Sequence, residues 1–148
     1  GLICGAIIIM SSFNMMENVK ENYDYSNKEP ISYLNENLQP DDIIIYSDIG
    51  NGGVIAALID TNKQFFLNLE NWSIEEAYKA YNPQMEVKGT VEEAIKEAKN
   101  RIFIIDTGEL SLYNKIYNED QYKQVSINKF EPRYKNYTYN IIILEKVK

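Results

Sequence analysis

Apolar positions along the chain fall into three kinds of run. The first kind is short, β-branched and bounded by polar or turn residues: Asp42-Ile43-Ile44-Ile45-Tyr46-Ser47-Asp48, Lys63 to Asn68, and Arg101-Ile102-Phe103-Ile104-Ile105-Asp106. Near-continuous apolar character over so few residues predicts strands of a parallel sheet covered on both faces. Met85-Glu86-Val87 predicts a further short strand. The second kind recurs at helical spacing. Ile31, Leu34 and Leu38 follow a cap at Ser26 or Asn27 with Pro30 in the first turn, which predicts a helix through Asn37 that ends at Gln39-Pro40-Asp41. Ser73 with Glu76 and Thr90 with Glu93 have capping-box spacing. The first predicts a helix to about Tyr81, the second a helix with Val91, Ala94, Ile95 and Ala98 turned inward. Leu110, Tyr113 and Ile116 predict a helix from Glu109 to Tyr117. Val54 to Ile59 reads as a short buried helix behind a glycine-bearing turn, Gly50-Asn51-Gly52-Gly53. The third kind is strand-like and late, Tyr122 to Phe130 and Tyr137 to Val147, separated by a turn near Glu131-Pro132-Arg133 and suited to an antiparallel hairpin.

Strands alternating with helices imply right-handed crossovers. The expected fold is therefore α/β: an open, mostly parallel Rossmann-like sheet between helical layers, with a C-terminal antiparallel hairpin. Residues 28–148 are expected to form one soluble domain, with residues 14–27 as a polar linker. Ahead of them, Gly1 to Met10 carries no charge. So short a run cannot cross roughly 30 Å of hydrocarbon, which takes about 20 helical residues. It reads either as a first core element of the domain or, with residues 1–13 taken together, as the end of a transmembrane or membrane-proximal helix. The polar run that begins at Ser11 favours the second reading. Between Asn14 and Glu29 the flank lacks the basic cluster usual on the cytoplasmic side. The expected location is the cell membrane, with the soluble domain on the extracytoplasmic side.

Composition narrows the chemistry. The 148 residues include no histidine and one cysteine, Cys4, which excludes an imidazole base, a Ser-His-Asp or Cys-His nucleophile, a CxxC pair and an intrachain disulfide. A net charge of −7 disfavours nucleic acid as a partner. Heavy use of Ile, Lys, Asn and Tyr, with Arg101 and Arg133 as the only arginines, suggests AT-rich bacterial coding. No catalytic set, cofactor motif or metal-ligand set is complete.

Two loops remain as candidate binding elements, because ligands of open parallel sheets bind beyond the carboxyl ends of the strands. Asp48-Ile49-Gly50-Asn51-Gly52-Gly53 offers backbone amides near a helix start, so Asp48, Gly50, Asn51 and Gly52 are candidate anion-binding residues, set against a plain tight turn. Ile55 stands where a dinucleotide fingerprint needs its third glycine. Ile105-Asp106-Thr107-Gly108 copies the aspartic-protease triplet, yet helical segments on both sides contradict the all-β setting such enzymes need. Asp106 or Thr107 as helix cap, with Glu109 in the first turn, is the plainer reading. Asp48 and Asp106 together could also share a hard cation. The paired acids Asp41/Asp42, Glu75/Glu76 and Glu92/Glu93 read as solvated turn and helix-start residues. Tyr113, Tyr117, Tyr122, Tyr134, Tyr137 and Tyr139 gather in the last third. Their rings suit a saccharide groove, a membrane interface or ordinary packing.

The order of elements in residues 1–48 carries a resemblance. An apolar helix tail, the polar stretch Tyr23-Asp24-Tyr25-Ser26, a helix and then Leu38-Gln39-Pro40-Asp41-Asp42-Ile43-Ile44-Ile45-Tyr46 resemble the start of a soluble C-terminal domain. The family is that of bacterial polytopic glycosyltransferases akin to dolichyl-phosphate-mannose protein mannosyltransferases and aminoarabinose transferases. Pro-Asp-Asp stands here where that family has a Pro-Gly-Asp-like turn. The resemblance implies a parent enzyme that moves a sugar from a polyprenyl-phosphate carrier to a glycan, lipid or protein acceptor. It implies too that the catalytic acid lies in the membrane part, so this domain alone is inactive and has the membrane part of its own polypeptide as partner. A free-standing Rossmann-like module for a small anion, or a ligand-free structural domain, are the alternatives.

Overall fold

The computed structural model describes residues 28–47, 49–59, 62–67, 82, 85–106, 109–131 and 138–147. Six strands form one sheet: β1 (Ile43–Tyr46), β2 (Lys63–Leu67), β3 (Met85–Lys88), β4 (Arg101–Asp106), β5 (Tyr122–Phe130) and β6 (Tyr139–Lys146), in the order β3-β2-β1-β4-β6-β5. β1 to β4 run parallel, while β6 is antiparallel to both β4 and β5. The expected α/β class, mostly parallel sheet and C-terminal hairpin are all present.

Four helices are described: α1 (Lys28–Asn37), α2 (Ile49–Leu58), α3 (Val91–Ile95) and α4 (Ser111–Ile116). Every residue of β1 is buried, since alternate side chains supply two cores. Ile44, Tyr46, Phe103, Ile105, Ile141 and Ile143 face one core with Leu34 of α1 and Ile55, Ala56 and Ile59 at α2. Ile43, Ile45, Ile102, Ile104, Ile142 and Leu144 face the other with Ala94 of α3 and Leu112 and Ile116 of α4. The connection from β1 to β2 runs outward across the sheet and that from β3 to β4 runs back. One hand of crossover therefore puts α2 and α3 on opposite faces.

Local chemistry sets the ends of the elements. Thr90 Oγ1 accepts from Glu93 N at 3.2 Å, as the capping box predicts, but Glu93 Oε2 reaches back to Gly89 N at 3.1 Å, one residue earlier than the motif requires. α3 is short and ends at Ile95, and Ala98 is buried beyond its end. In β5 the register slips between Gln124 and Ser126, leaving Val125 as a bulge. This resets the alternation of the strand, so that Ser126, Asn128 and Phe130 share the face of Ile143, Ile141 and Tyr139. There they meet α1: Asn128 Nδ2 donates to Tyr33 Oη at 2.6 Å, and Tyr33 and Phe130 rings lie 5.5 Å apart.

Several expectations lie outside the described residues: the membrane helix tail and linker of residues 1–27, the helix opened by Ser73, and the turn at Pro132-Arg133. Among the described residues no helix is long and apolar enough to cross a membrane.

Candidate functional site

The strand order switches at β1, which the chain leaves toward β2 and β3 on one side before returning to β4 on the other. The carboxyl ends of β1 and β4 therefore flank the crevice where such folds bind ligands. Ser47 N donates to Ile105 O at 3.1 Å, so the two strand ends stay zipped to the rim. Asp48 lies outside the described residues.

The glycine-bearing turn is corrected by the structure. α2 begins at Ile49, so Gly50 and Asn51 occupy its first turn and Gly52 and Gly53 its body, rather than a loop ahead of a helix at Val54. Gly52 is buried, and a Cβ placed there would lie 2.6 Å from Tyr46 Cδ1. That close approach of helix to strand is a packing reason for glycine. The Tyr46 ring cannot easily give way, because its hydroxyl donates to Gln64 Oε1 at 2.5 Å in a fully buried site. Burial pushes the Tyr46 phenol well above its ordinary pKa.

The same polar cluster closes the other end of α2. Gln64 Nε2 donates to Ile59 O, and Asn82 Nδ2 donates to Ala56 O at 2.7 Å and Ile59 O at 3.0 Å. Carbonyls that a helix leaves unpaired at its C-terminus are thus satisfied by two buried side-chain amides instead of a glycine turn.

Asp106 is 1% exposed at the end of β4. Its Oδ2 accepts from Leu112 N and Tyr113 N, both at 2.8 Å, the second and third residues of α4. A strand-end carboxylate thus does the work of an N-cap side chain, which the formal cap Leu110 cannot do. Leu110 has left-handed backbone, φ 54° and ψ 31°, at a cost of roughly 1 kcal/mol. Its packing against the second core and the Asp106 bonds offset this. The helix-cap reading of Asp106 holds. Glu109 falls before the helix rather than in its first turn, and Thr107 lies outside the described residues.

Among the described residues, Ser47 Oγ is buried with no hydrogen-bond partner, a feature invisible in the sequence because nothing there fixes what surrounds a residue just past a strand. Among the described residues no group of three acidic or cysteine side chains is placed to hold a metal.

Of the pair Asp41/Asp42, expected to be solvated, the structure buries Asp42 in a second polar cluster. Asp41 is exposed, but the Asp42 side chain is 1% exposed and meets Arg101 through Nε at 3.1 Å and Nη2 at 2.5 Å. Arg101 Nη2 also donates to Asn37 O, the last carbonyl of α1, at 2.8 Å, and Asp42 Oδ2 accepts from Gln39 N at 2.7 Å. Asn62 Nδ2 holds Gln39 O and Asp42 O from below. The signal was present in the spacing: Asp42 and Arg101 each precede the apolar run of a strand, and the runs pair with Ile43 beside Ile102. The tyrosine cluster in the last third of the chain divides by burial: Tyr122 and Tyr139 are core residues, while half-buried Tyr113 stacks on exposed Tyr117 at 5.2 Å. Tyr134 and Tyr137 lie outside the described residues.

No family model and no curated protein matches the chain. Among solved structures it is similar to protein 1320 of Thermoplasma acidophilum, at 13% identity over 77% of this chain and 78% of that one, with a TM-score of 0.41. It is also similar to a putative methyltransferase from Streptococcus mutans in complex with SAH, at 12% identity over 79% of this chain and 94% of that one, with a TM-score of 0.34. At that level of likeness neither bears on what this chain binds.

Proposed function

We propose that the chain is a non-catalytic extracytoplasmic domain of an integral membrane glycosyltransferase, one that uses a polyprenyl-phosphate sugar donor, and that it shapes access of the acceptor. The observation that carries the reading is the corner between α1 and β1. The segment Leu38 to Tyr46, on which the resemblance rests, is built as a rigid joint: Arg101, Asp42, Asn62 and Gln39 tie the end of α1 to the start of the central strand. A domain entered through α1 would transmit the position of whatever precedes that helix directly to the sheet. The conspicuous acid of the carboxyl edge, Asp106, is engaged in holding α4, consistent with an accessory rather than a chemical role. The test is sugar transfer by the parent protein and by a version ending near Met10. Altered rate or acceptor range in the shortened protein is expected; equal activity and range would overturn the reading.

A second reading, a small-anion module at the β1/β4 edge, draws on the orphaned Ser47 Oγ and on the first turn of α2 beside it in sequence. Isothermal titration against nucleotides and sugar phosphates separates the two, since silence across that panel removes it.

A further inference from the structure

β5 is the outermost strand at its end of the sheet and, at nine residues, the longest; among the described residues no strand lies beyond it. An edge of that length presents a row of backbone donors and acceptors to any extended chain. Its two faces are covered unequally. On one side α1 lies over it, with Tyr33 on Ser126, Asn128 and Phe130. On the other side α4 reaches it at Gln124, through the Tyr113 hydroxyl at 2.6 Å. Beyond that point Ile127 is 40% exposed, and Val125 at the bulge is 49% exposed.

Charge says what such an edge would accept. Lys123 and Lys129 are the only charged residues of β5, on a chain of net charge −7. They pair with Glu145 and Asn140, five positions apart on β6, so the two lysines mark the ends of the strand and lean to opposite faces. Lys129 also pairs with Glu131, but both are well exposed, and such a pair is weak enough to exchange. A second copy of this chain is a poor occupant. Its own β5 brings the same two lysines and no carboxylate to set opposite them.

We propose that β5 is a strand-addition site for an extended segment of another polypeptide, one that carries carboxylates five residues apart with β-branched residues between them. The lysines then act twice, repelling a second copy and selecting an acidic strand. The inference stands apart from the glycosyltransferase reading, since it concerns the far edge of the sheet and needs no membrane part.

The probe is the capped, dye-labelled peptide Gly-Glu-Val-Thr-Val-Thr-Glu-Gly, titrated by fluorescence anisotropy at low salt, with circular dichroism to confirm that each variant is folded. Saturable binding is expected, weakened about tenfold or more by the double variant Lys123→Glu/Lys129→Glu and regained by that variant with a lysine-ended peptide. Methylating alternate backbone nitrogens of the peptide, on the edge that meets β5, should abolish binding. No binding up to about 1 mM peptide would overturn the proposal, as would binding that ignores the charge exchange or the methylation. Dimerisation of the unmodified chain through β5 would overturn it too.

Discussion

At the scale of single residues, Gly52 shows how one missing side chain lets a helix settle on a strand. Gly52→Ala would push a methyl group into a Tyr46 ring that is 1% exposed and hydrogen-bonded at its far end. A loss of about 1–3 kcal/mol is expected, read as a lower urea midpoint with an unchanged slope. A stability within about 0.5 kcal/mol of the parent would mean that the ring yields freely. Tyr46 itself offers a second check. Burial raises its phenol, and also those of Tyr113 and Tyr122, with the charge of neighbouring Tyr117 a lesser cause at Tyr113. In an alkaline titration followed by tyrosinate absorbance, Tyr46 should ionise only as the helix signal is lost, and Tyr46→Phe should remove that part of the change. Ionisation of Tyr46 near about pH 10 with the fold intact would contradict its burial.

At the scale of elements, the strands were legible and one helix start was not. Ile43 to Tyr46 and Ile102 to Ile105 announce themselves because a strand buried on both faces has no polar side to confuse the pattern. Gly50, Gly52 and Gly53 read as a turn because glycine disfavours a helix by intrinsic preference, whereas at position 52 contact with Tyr46 requires a residue that small. Asp106 was legible as a cap, although the five and six residues separating it from its amides lie beyond ordinary capping spacing. The joint between α1 and β1 predicts a large asymmetry between two ion pairs. Arg101→Met strands the buried Asp42 carboxylate and should cost about 3–5 kcal/mol. Lys99→Met breaks the exposed pair with Asp41 and should cost about 1 kcal/mol or less. Comparable losses in denaturant unfolding would show that Asp42 is solvated after all.

Lys63, Lys88, Glu86 and Glu97 make a surface network that ties β2 and β3 to the segment after α3. The bond from Lys63 is the main cause that holds the Glu97 carboxyl below its ordinary value, so its contribution is complete above about pH 5 and is lost as pH falls through the lowered value. Lys63 is raised chiefly by its bond to Glu97, and Lys88 chiefly by its bond to Glu86. Their contributions are complete below about pH 10 and are lost as pH rises through the raised values. The stability difference between the parent and Glu97→Gln should therefore be flat between those limits and shrink on both sides. A difference that persists unchanged in strong acid would assign it to packing instead.

At the scale of the whole molecule, β3 and β5 are the edges of the sheet among the described residues. Removing the β5 charges with Lys123→Thr/Lys129→Thr leaves a nine-residue edge with Val125 and Ile127 exposed and nothing to repel a copy. Concentration-dependent association, measured by light scattering, is the expected result; a strictly monomeric double variant would show that the bulge alone protects this edge.

The place of β6 has one more consequence. β4 and β5 are not neighbours in the sheet, because Tyr139–Lys146 lies between them and pairs with both. During synthesis the ribosome releases four parallel strands and the outer strand of the hairpin before the piece that joins them. Until that stretch clears the exit tunnel, the edge of β4 that it pairs with stays unpaired, and the nascent sheet stays incomplete however far its earlier half has advanced.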